Sequence, residues 1–94
     1  MAWTIEYSAD ARKALAKLDG ADARRVLDYM DRVKELDDPC LRGKALTGNL
    51  SGLWRYRVGD WRVICIIDRG RLVILALDVV HRSTAYRGQV RPRG

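Results

Sequence analysis

Residues 53–68, LWRYRVGDWRVICIID, alternate apolar and charged side chains with period two on both sides of a Gly59-Asp60 pair. That pattern restricts the segment to two β-strands joined by a tight turn. The same period assigns the faces. Trp54, Tyr56 and Val58 share one side of the first arm, and Leu53, Arg55 and Arg57 the other; in the second arm Trp61, Val63, Cys65 and Ile67 oppose Arg62, Ile64 and Ile66. A register that sets Arg62 beside the first-arm arginines puts three guanidinium groups on one face. Like charges placed opposite one another destabilise a sheet, so the cluster points to an anionic ligand, with a polyanion such as RNA the leading candidate.

Charge placement strengthens that reading. The formal net charge is +6, yet in residues 1–50 nine basic side chains are cancelled by nine acidic ones. The whole excess falls in residues 51–94, where all nine basic residues are arginine against Asp60, Asp68 and Asp78. Arginine offers a planar fork of donors that matches phosphate oxygens and stacks on bases, whereas lysine is a point charge. The plain alternative is a solvated basic surface that aids solubility.

At 94 residues the chain has room for one core only. Residues 1–87 are expected to form a single domain and 88–94 a flexible basic tail, since Arg91-Pro92-Arg93-Gly94 offers no apolar anchor. The longest apolar runs, 63–67 and 72–77, are far too short to cross a bilayer. Glu6 and Asp10 interrupt any signal-peptide core, so a cytoplasmic location with no membrane contact is the expectation. Cys40 and Cys65 with a single histidine match neither a redox pair nor a zinc ligand set, so no metal and no cofactor are expected. Cys65 reads as a small core residue.

Before the hairpin, Trp3, Ile5 and Tyr7 alternate with Thr4 and Glu6, which predicts a first strand. Ser8 is placed to cap a helix carrying Ala11, Leu15 and Leu18 on one stripe, stopped by Gly20. A second helix is expected from Asp22, as cap, to about Leu36, with Val26, Leu27, Met30, Val33 and Leu36 apolar and its charges in pairs at helical spacing. Asp37-Asp38-Pro39 ends it. Residues 40–52, with Gly43, Gly48, Asn49 and Gly52, read as a turn-rich connector in which Arg42 and Lys44 either extend the basic surface or, more simply, are exposed loop charges. A last strand over 71–80 follows the Arg69-Gly70 turn and is a candidate for the sheet centre. The sum is an α+β fold: a two-helix hairpin on one face of a mostly antiparallel four-stranded sheet, order β-α-α-β-β-β, with Arg55, Arg57 and Arg62 on the open face. By parity Trp54, Tyr56 and Trp61 point to the helices as core rather than outward as a stacking platform.

The stretch LTGNLSGLWRYRVGDWRVI (46–64), followed by Asp78-Val79-Val80-His81-Arg82 and Tyr86-Arg87, resembles the RelE/ParE toxin superfamily of bacterial and archaeal toxin-antitoxin systems. The likeness runs from the Trp3 strand to Tyr86, and its arginine cluster and terminal tyrosine are more similar to the RelE-type endoribonucleases than to the gyrase-poisoning ParE branch. The resemblance implies a ribosome-dependent, metal-independent endoribonuclease that cleaves mRNA in the ribosomal A site through attack of the 2′-hydroxyl on the adjacent phosphate. Such a reaction needs removal of the 2′ proton, stabilisation of a phosphorane, and protonation of the leaving oxygen. Matched by position, Arg55 and Arg57 correspond to the family's paired basic residues, Arg62 to its arginine on the next strand, and Arg82 and Tyr86 to its carboxyl-terminal basic residue and tyrosine. Where familiar members carry lysine in the pair, this chain has arginine, a very poor proton acceptor. Arg55 and Arg57 are therefore expected to bind RNA phosphate by charge alone. His81, with an ordinary pKa of about 6.5, and Tyr86 are left as proton-transfer candidates, against plainer readings as a polar strand end and a packing residue. The resemblance also implies a cognate antitoxin, acidic and partly disordered. The competing function is a ParE-like inhibitor that binds DNA gyrase without chemistry of its own; a relic that only binds its antitoxin is the third.

Overall fold

The computed structural model describes residues 3–84. Among them the chain forms a five-stranded sheet and two α-helices: β1 (Thr4–Tyr7), α1 (Ala9–Ala16), α2 (Gly20–Lys34), β2 (Lys44–Ala45), β3 (Trp54–Val58), β4 (Trp61–Asp68) and β5 (Val73–His81). The sheet order is β1-β5-β4-β3-β2, with β1 parallel to β5 and every other pairing antiparallel. Within the described residues no helix is long and apolar enough to cross a membrane.

The fold class expected from the sequence is the one observed, with one strand more. Lys44–Ala45, read as connector, pairs antiparallel with Arg55 and Trp54 and adds an edge strand. Two residues are too short to carry a periodic signal; they are a strand only because β3 lies beside them. The sheet centre is β4, with β5 between β4 and β1.

Local chemistry explains the helix ends. Ser8 Oγ accepts from the Ala11 amide at 3.0 Å and donates to the Leu77 carbonyl at 2.8 Å, so one hydroxyl caps α1 and ties it to β5. Gly20 does not end α1, which stops at Ala16; it opens α2, with Asp19 rather than Asp22 in the cap position. The short turn between the helices consumes the residues expected to extend α1, leaving Leu18 half-buried beyond its end.

Ala11, Val26, Met30 and Val33 from the helices pack with Trp3, Tyr56, Val58, Val63, Cys65, Ile74, Ala76 and Val79, with Trp54 and Trp61 against the rim. This is the face assignment that parity requires. Leu27 falls off the stripe and is 36% exposed. Tyr56 is fully buried, and its hydroxyl donates to the Pro39 carbonyl at 2.7 Å, which joins the sheet to the end of the α2 segment.

Candidate functional site

Two-residue turn chemistry sets the site's register. Gly59 has φ +59° and is the first of two residues between the paired Val58 and Trp61, the arrangement of a II′ turn, which matches the twist of the flanking strands. With that register Arg57 lies directly opposite Arg62, and Arg55 opposite Ile64. The hairpin thereby places all three arginines on the face turned away from the helices.

That face is not bare. Leu46 and Leu50 of the 40–52 connector come over it and, with Ile64 and Val80, build the apolar floor of a cavity of about 270 Å³, whose other walls are Arg55, Arg62, Arg82 and Thr84. Arg62 is half-buried there, and its Nη1 is shielded from solvent with no hydrogen-bond partner among the described residues. A guanidinium nitrogen in that state carries a desolvation cost that an anion in the cavity would relieve. Arg82 arrives from just beyond β5. Its amide donates to the Asp60 carbonyl at 2.7 Å and its Nε stands 3.2 Å from Asp60 Oδ1, so the hairpin turn itself holds Arg82 at the cavity wall.

Arg57 does not reach this cavity. It lines a neighbouring groove of about 210 Å³ with Tyr29, Gly43, Lys44 and Arg55, so that Arg55 borders both. Tyr29 is an addition that sequence reasoning did not make, and Lys44 extends the basic surface, the less favoured of its two readings. Tyr29 sits in α2 with no motif around it.

His81 lies elsewhere. It pairs with Trp61 across the β4–β5 ladder, and the two rings meet edge to face with centroids 5.1 Å apart. Trp61 packs against the core, so His81 shares the helix-facing side and stands on the opposite side of the sheet from Arg55 and Arg62. A direct proton-transfer role, for which His81 would have to reach the arginine face, is at odds with this alternation: along β5, Val80 and not His81 has the parity of Arg62. The Ser83 amide donates to His81 Nδ1 at 3.1 Å, and Ser83 Oγ is 2.8 Å from the same atom. Nδ1 is thus held as an acceptor on the Ser83 segment, away from the arginine face. Tyr86 and the tail over 88–94 lie outside the described residues.

Burial perturbs other groups without making them part of the site. Cys65 and Tyr56 are pushed upward by desolvation, and Tyr7 is pushed up to about 12 by burial first and then by Asp31 and Cys65. All three belong to the core between sheet and helices.

Comparison with known proteins places this arrangement in company. Residues 5–86 match the family model described as the ParE toxin of the type II toxin-antitoxin system parDE. The chain is 30% identical to Toxin RelG of Mycobacterium tuberculosis over 89 residues, covering 93% of this chain and 99% of that protein. It is 39% identical to Toxin RelE of the same organism over 59 residues, 62% of this chain and 61% of that relative, less than two thirds of its length. Among solved structures, the RelBE2 toxin-antitoxin complex of M. tuberculosis aligns with a TM-score of 0.76 and 29% identity, covering 85% of this chain and 98% of that one. An archaeal RelE–RelB complex from Pyrococcus horikoshii aligns at 0.73 with 32% identity, covering 90% and 100%.

Proposed function

We propose, from the premise that this chain belongs to the RelE/ParE superfamily of type II toxin-antitoxin toxins, that it is an endoribonuclease cleaving mRNA in the ribosomal A site. The observation that carries the reading is the convergence of Arg55, Arg62 and Arg82 on one cavity, with a shielded, unpartnered Nη1 on Arg62. Cleavage by the RNA's own 2′-hydroxyl needs little covalent chemistry from the protein and much stabilisation of charge on the phosphorane. Guanidinium groups in a partly water-excluded cavity supply that charge without a metal. In this reading Arg62 and Arg82 hold the reacting phosphate, Arg55 and Arg57 bind the backbone, the attacking 2′-hydroxyl gives its proton to solvent water, and Tyr86 protonates the leaving oxygen. His81, facing the core side, acts on proton transfer only indirectly, by supporting Trp61 and the start of the 82–84 segment that carries Arg82.

Primer extension on a defined message in a reconstituted translation reaction tests this. The expected result is strong stops within A-site codons that need ribosomes and vanish with Arg62→Ala while the variant remains folded. The match to ParE toxins favours a second reading, a gyrase inhibitor without nuclease chemistry; an intact message together with loss of gyrase supercoiling would establish that one instead. Either activity calls for a cognate antitoxin, a role supported by the toxin-antitoxin complexes among the structural relatives. An acidic, partly disordered partner suits a net charge of +6.

A further inference from the structure

The edge of the sheet beside the arginine cavity is left open beyond Lys44, where the chain turns away from β3 at Gly43. At Gly43 a Cβ would come within 2.5 Å of the Arg55 carbonyl oxygen and of Trp54 Nε1, and the residue has φ +81°. The chain passes this point only as glycine and joins the sheet at Lys44, so β2 pairs with Arg55 and Trp54 and not with the rest of β3. The unpaired part of β3 faces α2 across the groove of about 210 Å³, a volume equal to the liquid share of about seven waters. Lys44, Arg55 and Arg57 line it with no carboxylate among the lining residues, and none of the three takes part in an ion pair among the described residues. Tyr29, half-buried and tilted 57° against Tyr56, forms the aromatic wall.

We propose that this groove is a second phosphate site, which takes the phosphodiester next to the reacting one in a single RNA strand. Lys44 and Arg57 contact its oxygens, Tyr29 lies against the attached nucleoside, and Arg55, which borders both spaces, bridges the two phosphates. The inference rests on the endoribonuclease reading and adds to it a footprint of two consecutive phosphates and a contribution from Lys44 and Tyr29. Lysine and tyrosine fit this role because the groove is open: a point charge and an aromatic face bind backbone and base without sequence preference.

The test uses uncleavable 2′-O-methyl oligoribonucleotides with one phosphate or two, titrated against the antitoxin-free full chain by NMR at several salt concentrations. For single strands each neutralised phosphate adds about 0.7 to the slope of log affinity against log salt. The expected result is a steeper slope for the two-phosphate strand by that amount in the wild type. Lys44→Gln reduces the difference, and Lys34→Gln, on α2 and paired with Asp31, leaves it in place. Tyr29→Leu lowers affinity for the longer strand without changing its salt slope. Equal slopes for the two strands in the wild type, or an unchanged difference in Lys44→Gln, overturn the second site while leaving the arginine cavity standing. Absence of binding by either strand overturns the second site as well, and the endoribonuclease reading is then decided by primer extension on ribosomes.

Discussion

Asp60 and Arg82 are joined twice, by the Arg82 amide to the Asp60 carbonyl at 2.7 Å and by Nε to Oδ1 at 3.2 Å. The two side chains are 66% and 63% exposed, so their ion pair contributes at most about 1 kcal/mol to stability. Its larger effect is to aim Arg82 at the cavity wall. Asp60→Asn is expected to leave the urea midpoint almost unchanged and to reduce cleavage by up to about fivefold, the equivalent of 1 kcal/mol. Arg82→Ala is expected to cost more than Asp60→Asn in the same primer-extension assay.

Arg62 and His81 offer a sharper contrast, because the sheet separates them. Arg62→Ala removes a cavity guanidinium and is expected to abolish cleavage. His81→Gln keeps a polar partner for Ser83 on the far face and is expected to retain most activity. Single-turnover rates of the two folded variants on programmed ribosomes check this; equal loss in both would place the histidine in the chemistry.

Two tyrosines with buried hydroxyls should respond differently to loss of that group. The Tyr56 hydroxyl donates to the Pro39 carbonyl at 2.7 Å in the core, and Tyr56→Phe strands that carbonyl at a cost of about 1–3 kcal/mol. The Tyr7 hydroxyl is buried with no partner among the described residues, so Tyr7→Phe is expected to be neutral or stabilising by up to about 1 kcal/mol. Chemical denaturation of both variants measures the difference.

Acid stability divides between two aspartates. The Cys40 amide, with Arg69 assisting, holds Asp38 below its ordinary 3.8. Its stabilising contribution is therefore present above the ordinary value and lost as pH falls through the lowered one. Burial raises Asp78, aided by Asp10 and opposed by the Val79 amide. Its contribution has the reverse sign, present below 3.8 and lost as pH rises through the raised value. Asp38→Asn is expected to be less stable than wild type at pH 7 and to converge with it in acid. Asp78→Asn is expected to be more stable at pH 7 and to converge likewise. Urea midpoints from pH 3 to pH 7 decide both.

Strand parity was legible because a period of two needs no partner to be read. Once Gly59-Asp60 defined the turn, the faces of Trp54, Tyr56, Trp61 and the three hairpin arginines followed. The Ser8 cap was legible for the same local reason, whereas the helix boundary at Gly20 was misplaced because glycine is compatible with either end of a helix and only the length of the turn settles which. Lys44–Ala45 carries no periodic signal, and Leu46 and Leu50 look like loop residues until the sheet supplies a surface for them.

By itself the sequence determined the chemistry available, an arginine-only basic half around a hairpin with one charged face, because composition and period are local properties. Only the tertiary structure decided which charges act together. The β4–β5 register carried His81 to the core side and brought Arg82 to Arg62, and the break at Gly43 left Arg57 in a second space that Arg55 shares with the first. Those outcomes depend on how strands far apart in the chain align, and alternation within one strand carries no information about its neighbour's register.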